Sequence, residues 1–259
     1  MVTRGTRILA NACVLTLLSV AAGYTSAKAE TKLFTGTDGT RSAVAAFEYS
    51  GGSNFTMLVT NDSPYDGKDE TYMISAIFFN VKNNPTINMT AADVAPGSDL
   101  YAFDAWKEGK GPTAINHPAG VITPAPSLMA DGHWQFVDKT IGMPYGTRYG
   151  VGGAGFTIFG SGADGSDYCI TQAGDITRGN SGVKDPVVRG SALFTFSGVP
   201  TGFTLNNITD VYFQYGTDIN DNHLQGTPPA APVPEPAFMQ LGSLILMGGI
   251  AGFKRLRKA

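Results

Sequence analysis

The chain has 259 residues, a formal net charge of −3 and only two cysteines. This small net charge hides an uneven distribution, because residues 30–232 carry 11 Lys/Arg and 20 Asp/Glu, a net of −9, whereas both ends of the chain are basic. Such an acidic central region argues against nucleic acid and anionic lipid as its partners, and it is compatible with calcium or a neutral glycan.

The N-terminal residues 1–29 have the pattern of a secretory signal peptide. Two arginines in the first seven residues precede an apolar stretch, and Ala27 and Ala29 then provide a small-x-small cleavage site. Cleavage by signal peptidase after Ala29 would leave a mature chain that begins at Glu30. The residues that follow would form an exported domain.

Cysteine content limits how this exported domain is stabilised. Cys13 would leave with the signal peptide, so Cys169 would be alone and no internal disulfide could form. Cys169 could in principle be a nucleophile. Its neighbours Tyr168 and Ile170 favour a small buried core residue instead.

Residues 30–225 are rich in short segments in which apolar and polar residues alternate between turn-forming residues, as in β-strands. Met73–Phe79 is nearly all apolar and predicts a central strand that is covered on both faces. Because no sustained helical period occurs, we predict one mainly β domain over 30–225, an antiparallel β-sandwich or jelly-roll-like fold. The predicted core-facing sets are Ala43, Ala45, Phe47 and Tyr49; Phe55, Met57 and Val59; Ala192, Phe194 and Phe196; and Val211, Phe213 and Tyr215.

Other parts of this domain have weaker patterns. Residues 83–127 contain six prolines and predict a long loop region with a short helix near 98–107. Trp134–Val137 predicts a strand, Tyr149–Gly160 a strand with a bulge or tight bend, and 162–182 a polar loop. In the last strand, Asp210, Tyr212 and Gln214 should face outwards.

The densest acidic segment is 61–70, a candidate calcium loop through Asp62, Asp66, Asp69 and Glu70. It fails as an EF-hand because proline stands at the third position and methionine at the twelfth. A solvated turn is the favoured interpretation, and a looser oxygen cage for calcium is the alternative. No other cofactor is expected.

Candidate catalytic groups do not form a recognisable set. Gly179–Gly182 is similar to the serine loop of chymotrypsin-like proteases, but His117 and His133 lack the usual surroundings, which favours a polar turn. Carboxylates could pair as in glycosidases, yet any acidic surface offers such pairs. The histidines lack a zinc-binding spacing. We therefore predict no catalytic residue; the carboxylates considered are Asp131, Asp138, Asp164 and Asp167.

The C-terminus consists of three consecutive segments. A proline-rich linker, 226–236, ends in Val233-Pro234-Glu235-Pro236 and should be extended, at about 3 Å per residue. Ala237–Phe253 carries no charge and, as a helix of about 26 Å, is just long enough to span a bilayer. A basic stop within 254–259 would keep the end cytoplasmic by the positive-inside rule, and consists of Lys254, Arg255, Arg257 and Lys258.

This tail, residues 233–258, resembles the PEP-CTERM sorting signal of bacterial proteins that exosortases process. The resemblance implies a precursor anchored in the inner membrane, cleavage by an exosortase near Val233–Pro236, and delivery to the envelope surface or extracellular matrix of a Gram-negative bacterium. Such systems accompany exopolysaccharide and biofilm matrix. Residues 191–217 add a second resemblance, to the end of the exported β domain in a group of exosortase-dependent surface proteins; the matching positions are Val211, Phe213, Gln214, Tyr215, Gly216 and Thr217.

The expected function is therefore that of an exported surface or matrix protein with a structural or adhesive role, and not an enzyme. Its expected partners are signal peptidase, exosortase, the membrane through the C-terminal helix, and extracellular polysaccharide. A carbohydrate-binding module is the first alternative, and a jelly-roll glycoside hydrolase is the second. Exposed aromatic side chains on one sheet would favour sugar binding, whereas a deep cleft with two facing carboxylates would favour hydrolysis.

Overall fold

The computed structural model describes residues 29–64, 70–108, 115–153, 157–159, 168–175 and 185–229, and these are mainly β. Their strands are β1 Glu30–Thr37, β2 Ser42–Tyr49, β3 Asn54–Asn61, β4 Ile74–Val81, β5 Asn88–Val94, β6 Asp99–Ala102, β7 Trp106–Glu108, β8 Ile115–His117, β9 Gly120–Ile122, β10 Trp134–Asp138, β11 Tyr149–Gly153, β12 Ile170–Thr171, β13 Val187–Arg189, β14 Ser191–Ser197, β15 Ile208–Tyr215 and β16 His223–Gly226.

Helical structure in these ranges is limited to single 3₁₀ turns, namely Glu70–Tyr72, Ala130–Gly132, Pro144–Gly146, Thr157–Phe159 and Leu205–Asn207. Within the described ranges, no helix has the length and apolarity needed to cross a membrane. The apolar segment Ala237–Phe253 lies outside them, as do residues 1–28 and 230–236.

Five strands form one sheet in the order β1-β2-β3-β14-β5, and every neighbouring pair is antiparallel. The predicted alternation in β2, β3 and β14 is confirmed, because one side chain in two is buried along each strand. This alternation gives the sheet one apolar face, which turns towards the second sheet.

The second sheet has nine strands, and β4 lies at its centre. β15 pairs with one edge of β4, while β11 and β12 share the other edge. Residues Ile74–Phe79 are all buried, which confirms the prediction of a strand covered on both faces. The short β12–β13 pair is parallel, an exception to the antiparallel expectation.

Aromatic rings join the two sheets in a sandwich-like arrangement. Phe79 of β4 lies 5.8 Å from Phe47 of β2 and 5.8 Å from Phe196 of β14, both in edge-to-face contact. Phe196 also stacks on Phe55 at 4.8 Å. Each fully buried ring of this kind contributes about 1.5–3 kcal/mol to the free energy of unfolding. Cys169 is fully buried, in agreement with its prediction as a packed residue.

The outer face of β4 packs against a second, smaller apolar cluster. Phe78 stacks on Phe159 at 6.0 Å, and Met143 belongs to the same cluster. The glycines of β11 make room for these side chains, since a Cβ on Gly150 would lie 2.9 Å from Phe78 and one on Gly152 would collide with Phe159. The strand predicted within Tyr149–Gly160 is present as β11, which is regular over Tyr149–Gly153 and uses its glycines for close packing. The predicted bulge or tight bend is not found in β11, and 154–156 lie outside the described residues.

The loop and helix predicted for 83–127 are wrong for the described part of this segment. It contains β5, β6 and β9, and 98–107 is strand and turn instead of helix. In β5 the alternation of buried and exposed side chains is interrupted by a register shift opposite Phe196. As a result, Met89 and Ala92 both lie on the buried side although they are three residues apart. Likewise, β12 lies in the predicted polar loop 162–182.

The first strand, β1, and the residue just after the last described strand, β16, meet at one edge of the sandwich-like arrangement. Thr227, just beyond β16, exchanges two backbone hydrogen bonds of 2.9 Å with Thr35 of β1. Gly226 is therefore the last residue of β16, and Thr227 pairs with β1. Both residues were predicted to lie in the proline-rich linker. At this bridge the chain runs antiparallel to β1, and so towards its Glu30 end.

Gly152→Ala should lower the free energy of unfolding by about 1–3 kcal/mol, because the added methyl group overpacks the outer cluster. Chemical denaturation of Gly152→Ala, Phe159→Ala and the double variant measures the coupling between the two positions. The cost of Gly152→Ala should be much smaller in the Phe159→Ala background. An equal cost in both backgrounds would show that Phe159 is not the limiting contact.

Candidate functional site

An open groove of about 450 Å³ lies at one end of the β4–β15 pair. Four asparagines and three threonines contribute to its lining, together with charged residues of both signs. We call it the Asn-rich groove. Its asparagines are Asn80, Asn83, Asn84 and Asn206, its threonines are Thr140, Thr147 and Thr209, and its charged residues are Lys82, Arg148 and Asp210.

Asn80, at the end of β4, fixes the floor of the groove through hydrogen bonds to two other segments. Its Oδ1 accepts a 2.8 Å bond from the backbone N–H of Arg148, and its Nδ2 donates to Asp210 Oδ2 at 3.1 Å. Nδ2 also lies 3.4 Å from the carbonyl oxygen of Gly146. The 140–148 segment and the start of β15 are thus held at fixed positions.

Asp210 enters the groove because β15 is irregular at this point. The register against β4 shifts between Thr209 and Tyr212, and Asp210 has a φ of 52°, in the left-handed region. Aspartate tolerates this conformation better than most residues do. The Thr209 hydroxyl donates to Asp210 Oδ2 at 2.9 Å, so this carboxylate accepts two side-chain hydrogen bonds.

Arg148 is neutralised by an ion pair within the same sheet. Its Nε donates to Asp138 Oδ1 at 2.6 Å, and its Nη2 to Asp138 Oδ2 at 3.3 Å. Hydrogen bonding to Asp138 raises the pKa of Arg148 above its usual value. The guanidinium also lies over the ring of Tyr149, 5.5 Å from the centroid. Its charge is therefore already compensated before any ligand binds.

Three aromatic rings lie beside the groove on the same outer face, and we call them the aromatic ledge: Tyr145, Tyr212 and His223. Tyr145 stacks on Tyr212 at 4.7 Å and lies 4.3 Å from His223. His223 is exposed, and both tyrosines are half-buried. The ledge adjoins the groove because Gly146 and Asp210 line the groove and lie one and two residues from Tyr145 and Tyr212.

Gln214 holds the ledge from below. The expectation that Gln214 faces outwards is wrong, because its side chain is fully buried. Its Oε1 accepts a hydrogen bond from the Tyr145 hydroxyl, while its Nε2 donates to backbone carbonyls, including that of Asp218 at 3.0 Å. A buried amide between a tyrosine hydroxyl and a loop keeps the exposed rings in one arrangement. The predicted outward positions of Asp210 and Tyr212 are confirmed.

The predicted calcium loop is only partly described. Asp62 is exposed and Glu70 is half-buried in a 3₁₀ turn, whereas Asp66 and Asp69 lie outside the described residues. No three His, Cys, Asp or Glu side chains among the described residues are grouped as metal ligands. The calcium interpretation stays untested.

The catalytic candidates do not come together among the described residues. Asp138 pairs with Arg148, and the ring of His133 stacks on Tyr168 at 3.7 Å. Gly179–Gly182, Asp164 and Asp167 lie outside the described residues, and so do the side chains of His117 and Asp131.

The sorting motif Val233–Pro236, the basic stop within 254–259 and the cleavage position Ala27 also lie outside the described residues, whereas Ala29 is the first described residue.

Sequence reasoning missed the Asn-rich groove and Tyr145. One signal was present, the Asn80-Val-Lys-Asn-Asn-Pro segment at the end of the central strand and in the turn that follows, where polar residues with turn preference replace apolar ones. Asn83 and Asn84 both adopt positive φ there, at 66° and 48°. Nothing in the sequence indicated that 140–148 and the start of β15 would meet them.

Comparison with known proteins adds no relative to this description. No protein-family model matches the chain, and no curated protein or solved structure matches it either.

Tyr145→Phe should make the domain less sensitive to alkali. Burial, followed by the proximity of Tyr212, raises the pKa of Tyr145 from 10.0 to about 12. A pKa that is raised in the folded state stabilises the fold below the unfolded pKa, and this stabilisation is lost as the pH rises through the folded pKa. Denaturation at pH 8 and pH 11 should show a smaller loss of stability for Tyr145→Phe than for the wild type. Equal losses would mean that Tyr145 ionises as readily in the fold as in the unfolded chain.

Proposed function

We propose that the chain is an exported, exosortase-processed protein of the bacterial cell surface or extracellular matrix, with a structural or adhesive role. The observation that carries this proposal is the position of the described fold in the chain. Among the described residues, the first strand begins at Glu30, directly after the expected signal-peptide cleavage, and the last paired residue is Thr227. The described fold thus fits the interval between the two expected targeting segments.

The geometry of the chain ends also fits a tethered domain. Thr227 is bonded to β1, and the main-chain N–H of Leu205 donates to Glu30 Oε2 at 3.3 Å, so both ends are secured to the sandwich. A linker that leaves Thr227 towards the Glu30 end of β1 would hold the domain by one end.

The finer architecture is part of the same proposal. The two sheets would form a jelly-roll-like β-sandwich, and Ala237–Phe253 would form one transmembrane helix that anchors the precursor in the inner membrane. The basic residues Lys254–Lys258 would hold its end in the cytoplasm. Signal peptidase and an exosortase would be the processing enzymes, and the mature protein would reach the envelope surface or the matrix.

The charge of the domain favours a role among uncharged polymers. Residues 30–232 carry a net of −9, so nucleic acids and anionic lipid surfaces would repel it. The ion pair between Arg189 and Asp99, at 2.6 Å, connects the neighbouring strands β13 and β6. Such a contact supports a rigid scaffold, as a structural or adhesive component requires.

Cleavage of the tail is the direct test of this proposal. One epitope is placed after Glu30 and another after Ala259, and both are followed in exosortase-containing cells. The outer epitope should reach the surface or medium without the inner one, since the prolines keep Val233–Pro236 extended for the enzyme. Glu235→Ala, or loss of the exosortase, should leave a longer membrane-bound form with both epitopes.

Asp218→Ala is a suitable control for the loss of one acidic residue, because Asp218 is exposed and lies in the folded domain. It should be processed like the wild type. If both epitopes stay together in normal cells, the tail is a permanent anchor and the proposal fails.

A further inference from the structure

We propose that the Asn-rich groove and the aromatic ledge together form a binding site for a neutral polysaccharide. The groove would take the hydroxyl groups of one sugar unit, and the ledge would pack against the apolar C–H face of the next. This inference rests on the proposed function only in that the ligand is extracellular. It assigns that function a specific surface and a specific class of ligand.

The side chains of the groove match sugar hydroxyls in their hydrogen-bonding chemistry. A sugar hydroxyl both donates and accepts, and amide and hydroxyl side chains offer both functions as well. Asn83, Asn84 and Asn206 are exposed, so their amides face solvent instead of the core. Such a lining is suited to several adjacent hydroxyls on one ligand.

The charges of the groove favour a neutral ligand over an anionic one. Arg148 is committed to Asp138, and Lys82 shares the groove with Asp210. An acidic polysaccharide or a phosphate would meet the exposed Asp210 carboxylate within the groove and a domain of net negative charge around it. A neutral chain avoids both sources of repulsion.

The ledge provides the apolar half of the site. Aromatic side chains combine a broad apolar surface with a polar edge, which suits ligands that have an apolar face and polar rims. Tyr145 and Tyr212 are stacked, and Tyr145 also meets the buried Phe78 edge-to-face at 5.8 Å. The rings are thus supported from behind and present a fixed surface next to the groove.

The site is also formed in advance and of suitable size. Its volume of about 450 Å³ lies in the range of small-ligand sites, about 300–1,000 Å³. Asn80 is fixed to the backbone of Arg148, and Gln214 fixes Tyr145, so little ordering has to occur on binding. Because most lining residues are exposed, the groove is open enough for an internal segment of a polymer.

Affinity electrophoresis of the full chain, purified in mild detergent, tests the inference with dextran, laminarin, galactomannan and hydroxyethylcellulose in the gel. At least one of these neutral polymers should retard the wild type, whereas alginate should not. Tyr212→Ala should weaken the retardation on the order of tenfold through loss of ring contact, and Tyr212→Phe should restore it. Asp210→Asn keeps an acceptor for Asn80 and Thr209, but removes a charge-assisted contact and should also weaken binding.

Tyr49→Ala is the matched control, because Tyr49 is a half-buried tyrosine on the five-stranded sheet, with its ring 5.1 Å from Phe203. It should bind like the wild type. Circular dichroism establishes that each variant is folded, and Asn206→Ala replaces Tyr212→Ala if that variant is not. The inference is overturned if none of the neutral polymers binds, if alginate binds better than they do, or if the ledge and groove variants bind normally. Tail cleavage in cells is a separate measurement, so a failure here leaves the sorting proposal standing.

Discussion

The burial of β4 on both faces is the constraint on which the rest of the structure depends. Its inner side chains, Ile77 and Phe79, join the main core with the five-stranded sheet. Its outer side chain Phe78 needs a second cover, which the 140–146 and 157–159 segments supply. The loops that provide this cover also bring Tyr145 and Gly146 to the surface beside Asn80. Both the sandwich and the candidate binding face therefore follow from one apolar strand.

The strands that could be predicted from the sequence are those in which buried and more exposed side chains alternate from one residue to the next. β2, β3 and β14 lie in regular antiparallel pairs with one face on the core, so their alternation predicted both their positions and their buried sides. β5 could not be recognised because its register shift breaks the period of two, and prolines nearby suggested a loop. Gln214 looked outward-facing for a similar reason, since a loop that covers an outer face is not visible in the pattern of the strand.

The candidate site was largely hidden from sequence analysis because it is assembled from distant segments. Asn80, Arg148 and Asp210 are separated by more than sixty residues at each step, and only the pairing of β4 with β11 and β15 unites them. Single asparagines and threonines are also common in turns, so none of them was distinctive alone. The two predicted targeting segments have the opposite property, because each is one continuous pattern: basic then apolar residues in 1–29, and prolines, an apolar run and basic residues in 233–258.

The bridge between Thr35 and Thr227 has a mechanical consequence. In the proposed tethered form, force on the C-terminal linker would enter the domain at Thr227. This residue is bonded to β1 on one side and follows Gly226, the partner of Val211 in β15, on the other. A pull along the strand direction would load these hydrogen bonds together instead of one after another. Since Val211 directly follows Asp210, the force would pass from the linker to the groove within a few residues. The same strand contributes Val211 and Phe213 to the main core, so tension on a tethered chain would be shared between the bridge and the packed centre of the domain.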